Sequence, residues 1–343
     1  MPAAAILSSP RLPTCRGPSA TVLGPGSARP VLPCEEAFRR TEPAVVTADH
    51  RLRVEDRDAI GEDDSGDPVR RATIGDGPIP TDGPPRDAVP IQPDPGAGEM
   101  SSHDVRVGCA GWSIPRQHAD RFPEGGSHLA RYAQRLPAVE VNSSFYRPHR
   151  PSTYARWAAE TPEGFAFSLK IPKEITHHRR LVAADGPLGR FLDETAALGA
   201  KRGPLLVQLP PSLAFDAGTV EAFLAVLRGR HDGAVACEPR HPSWFAPEAD
   251  RLLTDREVAR VAADPAVVPR AADPGGWGGL VYRRLHGSPE MYRSAYPAAT
   301  LDDLAVRIAG EADADAVWCI FDNTAIGAAT ADALAMLGRL RGR

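Results

Sequence analysis

The chain has 343 residues, 42% hydrophobic and 24% charged, with a formal net charge of -4. That length suits one large domain or two small ones, and its strand-sized apolar runs exclude the roughly 20-residue stretch a membrane-spanning helix needs. The net charge, the five scattered cysteines with no CxxC pair and the lack of a basic, apolar leader exclude a polybasic tail, a disulfide scaffold, a zinc ribbon and a secretory signal, and point to a cytoplasmic protein.

Residues 1–100 carry 16 of the 35 prolines, one aromatic (Phe38) and an excess of acidic over basic side chains. Such a composition cannot offset the entropy of ordering, so 1–103 is expected to be a disordered extension. Met100 directly precedes the first strand pattern and is a candidate natural start.

From 104 onward the pattern alternates. Strands are expected at 105–112, 138–145, 166–172, 205–211, 234–240, 259–264, 280–287 and 317–324. Amphipathic stretches lie between most of them, at 128–136, 152–160, 188–198, 219–227, 301–309 and 331–340. Val220, Phe223, Leu224 and Leu227 form the clearest helical stripe. Ser152, Asp216 and Thr300 are the expected helix caps. Alternating strands and helices imply a parallel sheet, and eight strands in 240 residues fit a (β/α)8 TIM-like barrel. An open doubly wound sheet fits less well, because no GxGxxG follows the first strand. Between Asp264 and Leu280, Pro265, Pro269 and Pro274-Gly-Gly predict a loop in place of the sixth helix.

Two-residue alternation sorts each strand into faces. Large apolar residues mostly fall toward the helices, small ones inward, and a polar side chain recurs at the C-terminal end. Barrel active sites occupy that end. The inward polar set is Glu140, Asn142, Lys170, Gln208, Glu238, Arg240, Asp264, Arg284 and His286, then Asn323 or Asp322. Three cations placed together call for counter-charge, so a small phosphate- or carboxylate-bearing ligand is expected, held by Lys170, Arg240 and Arg284. Lys170 is one of three lysines in the chain; burial beside other cations would suit it to proton transfer or Schiff-base chemistry. Glu238 and His286 are the candidate proton-exchanging pair, and Asn142, Gln208 and Asn323 the candidate orienting amides. Trp112, Tyr146 and Tyr292, at or past strand ends, are candidate walls of the pocket. A structural ion pair between Lys170 and Glu140 or Glu238 is the bland alternative.

No metal is favoured. Glu140, Glu238, Asp264 and His286 offer ligands for a divalent ion, yet no HxH or HxxE spacing supports one, and the adjacent His177 and His178 point apart. The barrel's nearly balanced charge gives no nucleic-acid footprint. Nothing in the sequence fixes an oligomeric state or a cofactor. Cys109, Cys237 and Cys319 read as small hydrophobes within strands.

The motifs Gly108-Cys-Ala-Gly-Trp112, Glu140-Val-Asn-Ser-Ser-Phe-Tyr146, Phe167-Ser-Leu-Lys170 with Ile175-Thr-His177, Gln208-Leu-Pro-Pro211, Glu238-Pro-Arg-His-Pro-Ser-Trp244, Arg284-Leu-His-Gly287 and Phe321-Asp-Asn-Thr324 follow in order. Together they closely resemble the DUF72 (YecE-like) family, from about Val105 to Leu340. The resemblance implies a TIM-barrel-like fold in a family widespread in bacteria and archaea, and no particular activity. Its recurring polar positions fall on Asn142, Lys170, Gln208, Glu238, Arg240, Arg284, His286 and Asn323. Asp322 departs from the pattern, standing where members often carry a second Asn. Acid–base chemistry on a small anionic metabolite is the leading expectation. Metal-dependent phosphodiester hydrolysis and a non-catalytic ligand-binding barrel are the alternatives.

Overall fold

The computed structural model describes residues 104–342; the expected disorder of 1–103 and the candidate start at Met100 lie outside them. Nine strands form a nearly closed parallel ring, and a tenth short strand is antiparallel to it. In chain order they are β1 (Asp104–Ala110), β2 (Ala138–Val141), β3 (Ala166–Lys170), β4 (Arg202–Gln208), β5 (Val235–Glu238), β6 (Val258–Arg260), β7 (Ala262–Asp264), β8 (Gly275–Gly276), β9 (Leu280–Leu285) and β10 (Ala316–Phe321). The helices are α1 (His128–Ala133), α2 (Ser143–Tyr146), α3 (Pro151–Glu160), α4 (Asp185–Thr195), α5 (Ala217–Arg228), α6 (Pro247–Asp255), α7 (Ala298–Ala309) and α8 (Ala328–Arg341). All eight expected strand regions are occupied. Among the described residues no helix is long and apolar enough to cross a membrane.

The expected sixth strand is broken at Val261. Its first half, β6, pairs with β5, and its second half, β7, pairs with β9, so the two halves bridge the ring between its neighbours. The Val261 amide still donates to the Cys237 carbonyl at 2.9 Å. No α-helix follows β7. The buried Arg260 organises the substitute loop: its Nε donates to Asp250 at 2.8 Å and its Nη1 to the carbonyls of Arg270 and Asp273. Proline cannot continue a helical ladder, so side-chain bonds do here what a crossover helix does elsewhere.

Two apolar layers result. The outer one lies between sheet and helices and includes the stripe Val220, Phe223, Leu224 and Leu227. The inner one is small-residue rich, with Ala110, Ala138, Ala166, Ala236, Ala259 and Ala263 facing Leu206, Tyr282 and Trp318. The Tyr282 and Trp318 rings stack at 6.1 Å and fill the floor. The strand alternation read from sequence is therefore the one the barrel adopts. Cys109, Cys237 and Cys319 are free and buried.

Asp216 caps α5 as expected, accepting from Thr219 N at 2.8 Å. Ser152 and Thr300 do not cap. Pro151 takes the first position of α3, and α7 begins at Ala298 after Pro297, so both hydroxyls fall inside the first turn. Proline at a helix start needs no side-chain cap to fix its φ.

Gly108 explains one motif. A Cβ there would lie 2.1 Å from the Ala138 carbonyl oxygen. That oxygen also accepts from Tyr132 Oη at 3.0 Å, while Tyr132 Oη accepts from Cys109 N at 2.8 Å. Gly108→Ala is expected to push β1 from β2 and cost about 1–3 kcal/mol, read as a lowered midpoint in urea.

Candidate active site

Above the Tyr282–Trp318 floor, the strand ends deliver a buried charged cluster. Arg284, from β9, sits at its centre and is 1% exposed. Its Nε and Nη2 donate to Glu140 of β2 at 2.9 and 2.6 Å. Its Nη1 donates to Glu238 of β5 at 2.7 Å, and Nη2 also reaches Asp322, just past β10, at 2.9 Å. One guanidinium thus answers three carboxylates from three strands. Tyr282 Oη lies 2.9 Å from Glu140 and 2.7 Å from Ser168 Oγ, tying the cluster to the floor.

His286, two residues past Arg284 on the same face, is fully buried. Its Nδ1 lies 3.0 Å from Asp322 Oδ2, and its Nε2 lies 2.8 Å from Glu238 Oε1. Arg240 Nη2 also stands 2.8 Å from that Nε2 and 2.7 Å from Glu238 Oε1. A protonated Nε2 finds an acceptor in Glu238, and a bare one finds a donor in Arg240. Each protonation state of the ring nitrogen thus has one matched neighbour in place, as a group exchanging a proton needs.

Burial alone would raise the Glu238 carboxyl, but Arg284, Arg240 and His286 hold it well below the usual range. Asp322 is likewise opposed by burial and brought to about 2 by Arg284 and the His286 bond. Burial works against the Arg284 charge too, yet Glu140, Glu238 and Asp322 push its pKa well above the ordinary one.

Lys170 ends β3 and is 6% exposed. Its Nζ lies 4.2 Å over the Phe145 ring centroid. Burial first, then Arg284, bring its ammonium down to about 8. His177 packs edge-on against the same ring at 5.0 Å, and burial with Lys170 holds it near 4, so the imidazole is neutral at pH 7.

The structure brings Lys170, Glu238, Arg240, Arg284 and His286 together, and corrects several expectations. Arg284 is not available to a ligand, because three carboxylates occupy its guanidinium. Asn323 turns outward: its Nδ2 donates to Asp332 of α8 at 2.7 Å and to the Ser294 carbonyl at 2.9 Å. Asp322 takes the inward place. Asp264 also faces out, accepting from Tyr296 Oη at 2.6 Å. With Asp264 elsewhere and Arg284 between the remaining carboxylates, the four ligand candidates for a divalent ion do not converge. Trp112 lies in the outer core, edge-on to Trp157 at 4.9 Å.

The remaining candidates rim the cluster. Asn142 follows β2, and its Oδ1 is buried without a partner, as is Arg240 Nε. Gln208 ends β4 beside Glu238 in register and is half-buried. Tyr292, 41% exposed, sets its ring edge-on to His286 at 5.7 Å. Tyr146, 48% exposed, packs on Phe145, with Lys173 Nζ 5.4 Å over its ring. A cavity of about 260 Å³ near the loops after β3, β4 and β5, lined by Arg179, Arg180, Asp216 and Trp244 among others, includes none of the cluster residues. Sequence reasoning missed Tyr282 and set His177 aside. Counting by twos from Trp318 would have selected Asp322.

The model for "Protein of unknown function DUF72" matches residues 106–343. The chain belongs to the DUF72 family. Among curated proteins, UPF0759 protein YunF of Bacillus subtilis is 27% identical over 152 residues, 42% of this chain. That match spans about half of YunF, 53% of its length. A DUF72 family protein of Enterococcus faecalis has the same fold, with TM-score 0.59, 24% identity, and 69% of this chain and 95% of that one covered. A DUF72 family protein of Thermotoga maritima gives TM-score 0.58 and 23% identity, covering 69% and 99%.

Proposed function

We propose that this DUF72 barrel is an enzyme that performs acid–base chemistry on a small metabolite bearing a phosphate or carboxylate. The observation that carries the reading is the dual satisfaction of His286 Nε2 by Glu238 and Arg240. A ring that only filled space would need one partner per nitrogen. Glu238 and His286 would move the proton. The guanidinium of half-buried Arg240 would meet the anionic group, and the amides of Asn142 and Gln208 would orient hydroxyls. Lys170 would stand beside the reacting part of the ligand, its Nζ over the Phe145 ring against which His177 packs.

The test is a panel of phosphorylated, carboxylated and neutral metabolites, scored first by thermal stabilisation of the protein and then by product formation in mass spectrometry. Anionic compounds are expected to stabilise, and at least one to be turned over. His286→Asn is expected to keep the binding and lose at least about 100-fold in turnover, the usual contribution of a positioned acid–base group. Equal turnover by His286→Asn, or stabilisation by neutral compounds alone, would refute the proposal.

A further inference from the structure

The three lysines sit in unlike places. Lys201 Nζ is bound by the Ala158 carbonyl at 2.6 Å, the Thr161 carbonyl at 2.5 Å and Thr161 Oγ1 at 3.0 Å. Lys173 lies over Tyr146 on the loop after β3. Lys170 alone ends a barrel strand. Glu140, Glu238 and Asp322 are near enough to act on its charge, yet all three direct their oxygens to Arg284, Arg240 or His286. Among the described residues, Lys170 Nζ has no hydrogen bond or ion pair, only the Phe145 face. Its tip is not among the sealed, unpartnered polar atoms, so solvent reaches it. An amine kept from carboxylates yet open at its tip is arranged to use its lone pair, since an ammonium kept for structure would be paired.

Resting on the acid–base reading above, we propose that Lys170 is the amine nucleophile of this site and that the substrate is a small aldehyde or ketone carrying an anionic group. The neutral amine adds its lone pair to the carbonyl carbon. A C–N bond forms, the C=O π pair moves to oxygen, and oxygen takes a proton as nitrogen gives one up. The C–O bond then breaks, the oxygen leaves as water with a second proton, the nitrogen lone pair closes the C=N bond, and the nitrogen gives up its remaining proton. Amine and carbonyl become imine and water, with no oxidant or reductant. The Glu238–His286 pair carries the protons, and the guanidinium of half-buried Arg240 receives the anionic group. Burial and Arg284 support the step, because an amine near 8 is roughly one-tenth free base at pH 7, far more than an ordinary lysine.

Glyoxylate with cyanoborohydride tests this on the folded full chain, since the hydride fixes an imine as a stable secondary amine. With three lysines, peptide mapping assigns every adduct. Lys170 is expected to be labelled at least about tenfold faster than Lys173 at pH 7, with a rate rising through a midpoint near 8. Glyoxylate is expected to outpace acetaldehyde at Lys170, and Arg240→Gln to remove that advantage. Labelling of Lys173 as fast as Lys170 would overturn the nucleophile. Equal rates for glyoxylate and acetaldehyde would overturn the anionic substrate class. If phosphate or malate stabilises the protein while Lys170 stays unlabelled, this inference falls and the acid–base reading stands.

Discussion

Arg284→Met is expected to remove most of the folded protein. The substitution strips the shared partner from Glu140, Glu238 and Asp322, of which Glu140 is fully buried and Asp322 nearly so. Breaking a buried ion pair on one side costs about 3–5 kcal/mol, and here one side serves three carboxylates. Against a typical total of about 5–15 kcal/mol, the variant should appear in inclusion bodies or melt at the lowest urea concentrations. Adding Glu140→Gln and Asp322→Asn is expected to recover a folded barrel, because neutral amides need no counter-ion. Recovery identifies the charge, rather than lost packing, as the cause. A fully stable single variant would mean that Arg284 does not hold the cluster together. Glu238→Gln is a poorer probe of the proposed chemistry. Glu238 faces Arg284, Arg240 and His286, so neutralising it perturbs the fold as well as the chemistry, and His286→Asn is the cleaner probe.

Lys170→Met is expected to act in the opposite direction and stabilise the protein at pH 7. Burial and Arg284 lower the folded-state amine to about 8, while the unfolded chain holds its proton up to about 10.5. Between those values the unfolded state binds more protons, so stability rises with pH. Below 8 both states are protonated and the full penalty of the buried charge remains. Methionine has no charge to bury and similar length. Its advantage should be about 3 kcal/mol below pH 8 and shrink steadily as pH climbs to 10.5. Urea midpoints for both proteins from pH 6 to 10.5 read this out. A gap that is constant across the range, or that widens with pH, would show that Lys170 is not held in the strained charged form.

Much of this site was legible because a strand repeats every two residues. Ala166, Ser168 and Lys170 had to share a face, as did Ala236 with Glu238, and Arg284 with His286. What alternation cannot supply is who partners whom. Arg284 and Glu140 are 144 positions apart, and only the closed ring brings them together, so a cation that looked ready for a ligand proved to be spoken for. Alternation also weakens where a strand stops. Asn323 and Asp322 lie past β10 and Asp264 at the end of β7, and chemical character favoured the wrong member in two of those choices. The break at Val261 leaves no mark in an alanine- and valine-rich run. Trp112 had the composition of a pocket wall, but its ring was claimed by Trp157 on α3, a contact no local pattern reveals.

The guanidinium at the centre draws its partners from across the barrel's strand sequence: Glu140 from the second strand, Glu238 from the middle, Asp322 from just past the last. No contiguous fragment holds the complete set. Reconstituting the barrel from two separately produced halves, cut in the loop after α5, would therefore leave each piece without the complete cluster. The buried cluster would be completed only on their reassociation, and recovery of a single cooperative unfolding transition would signal ring closure.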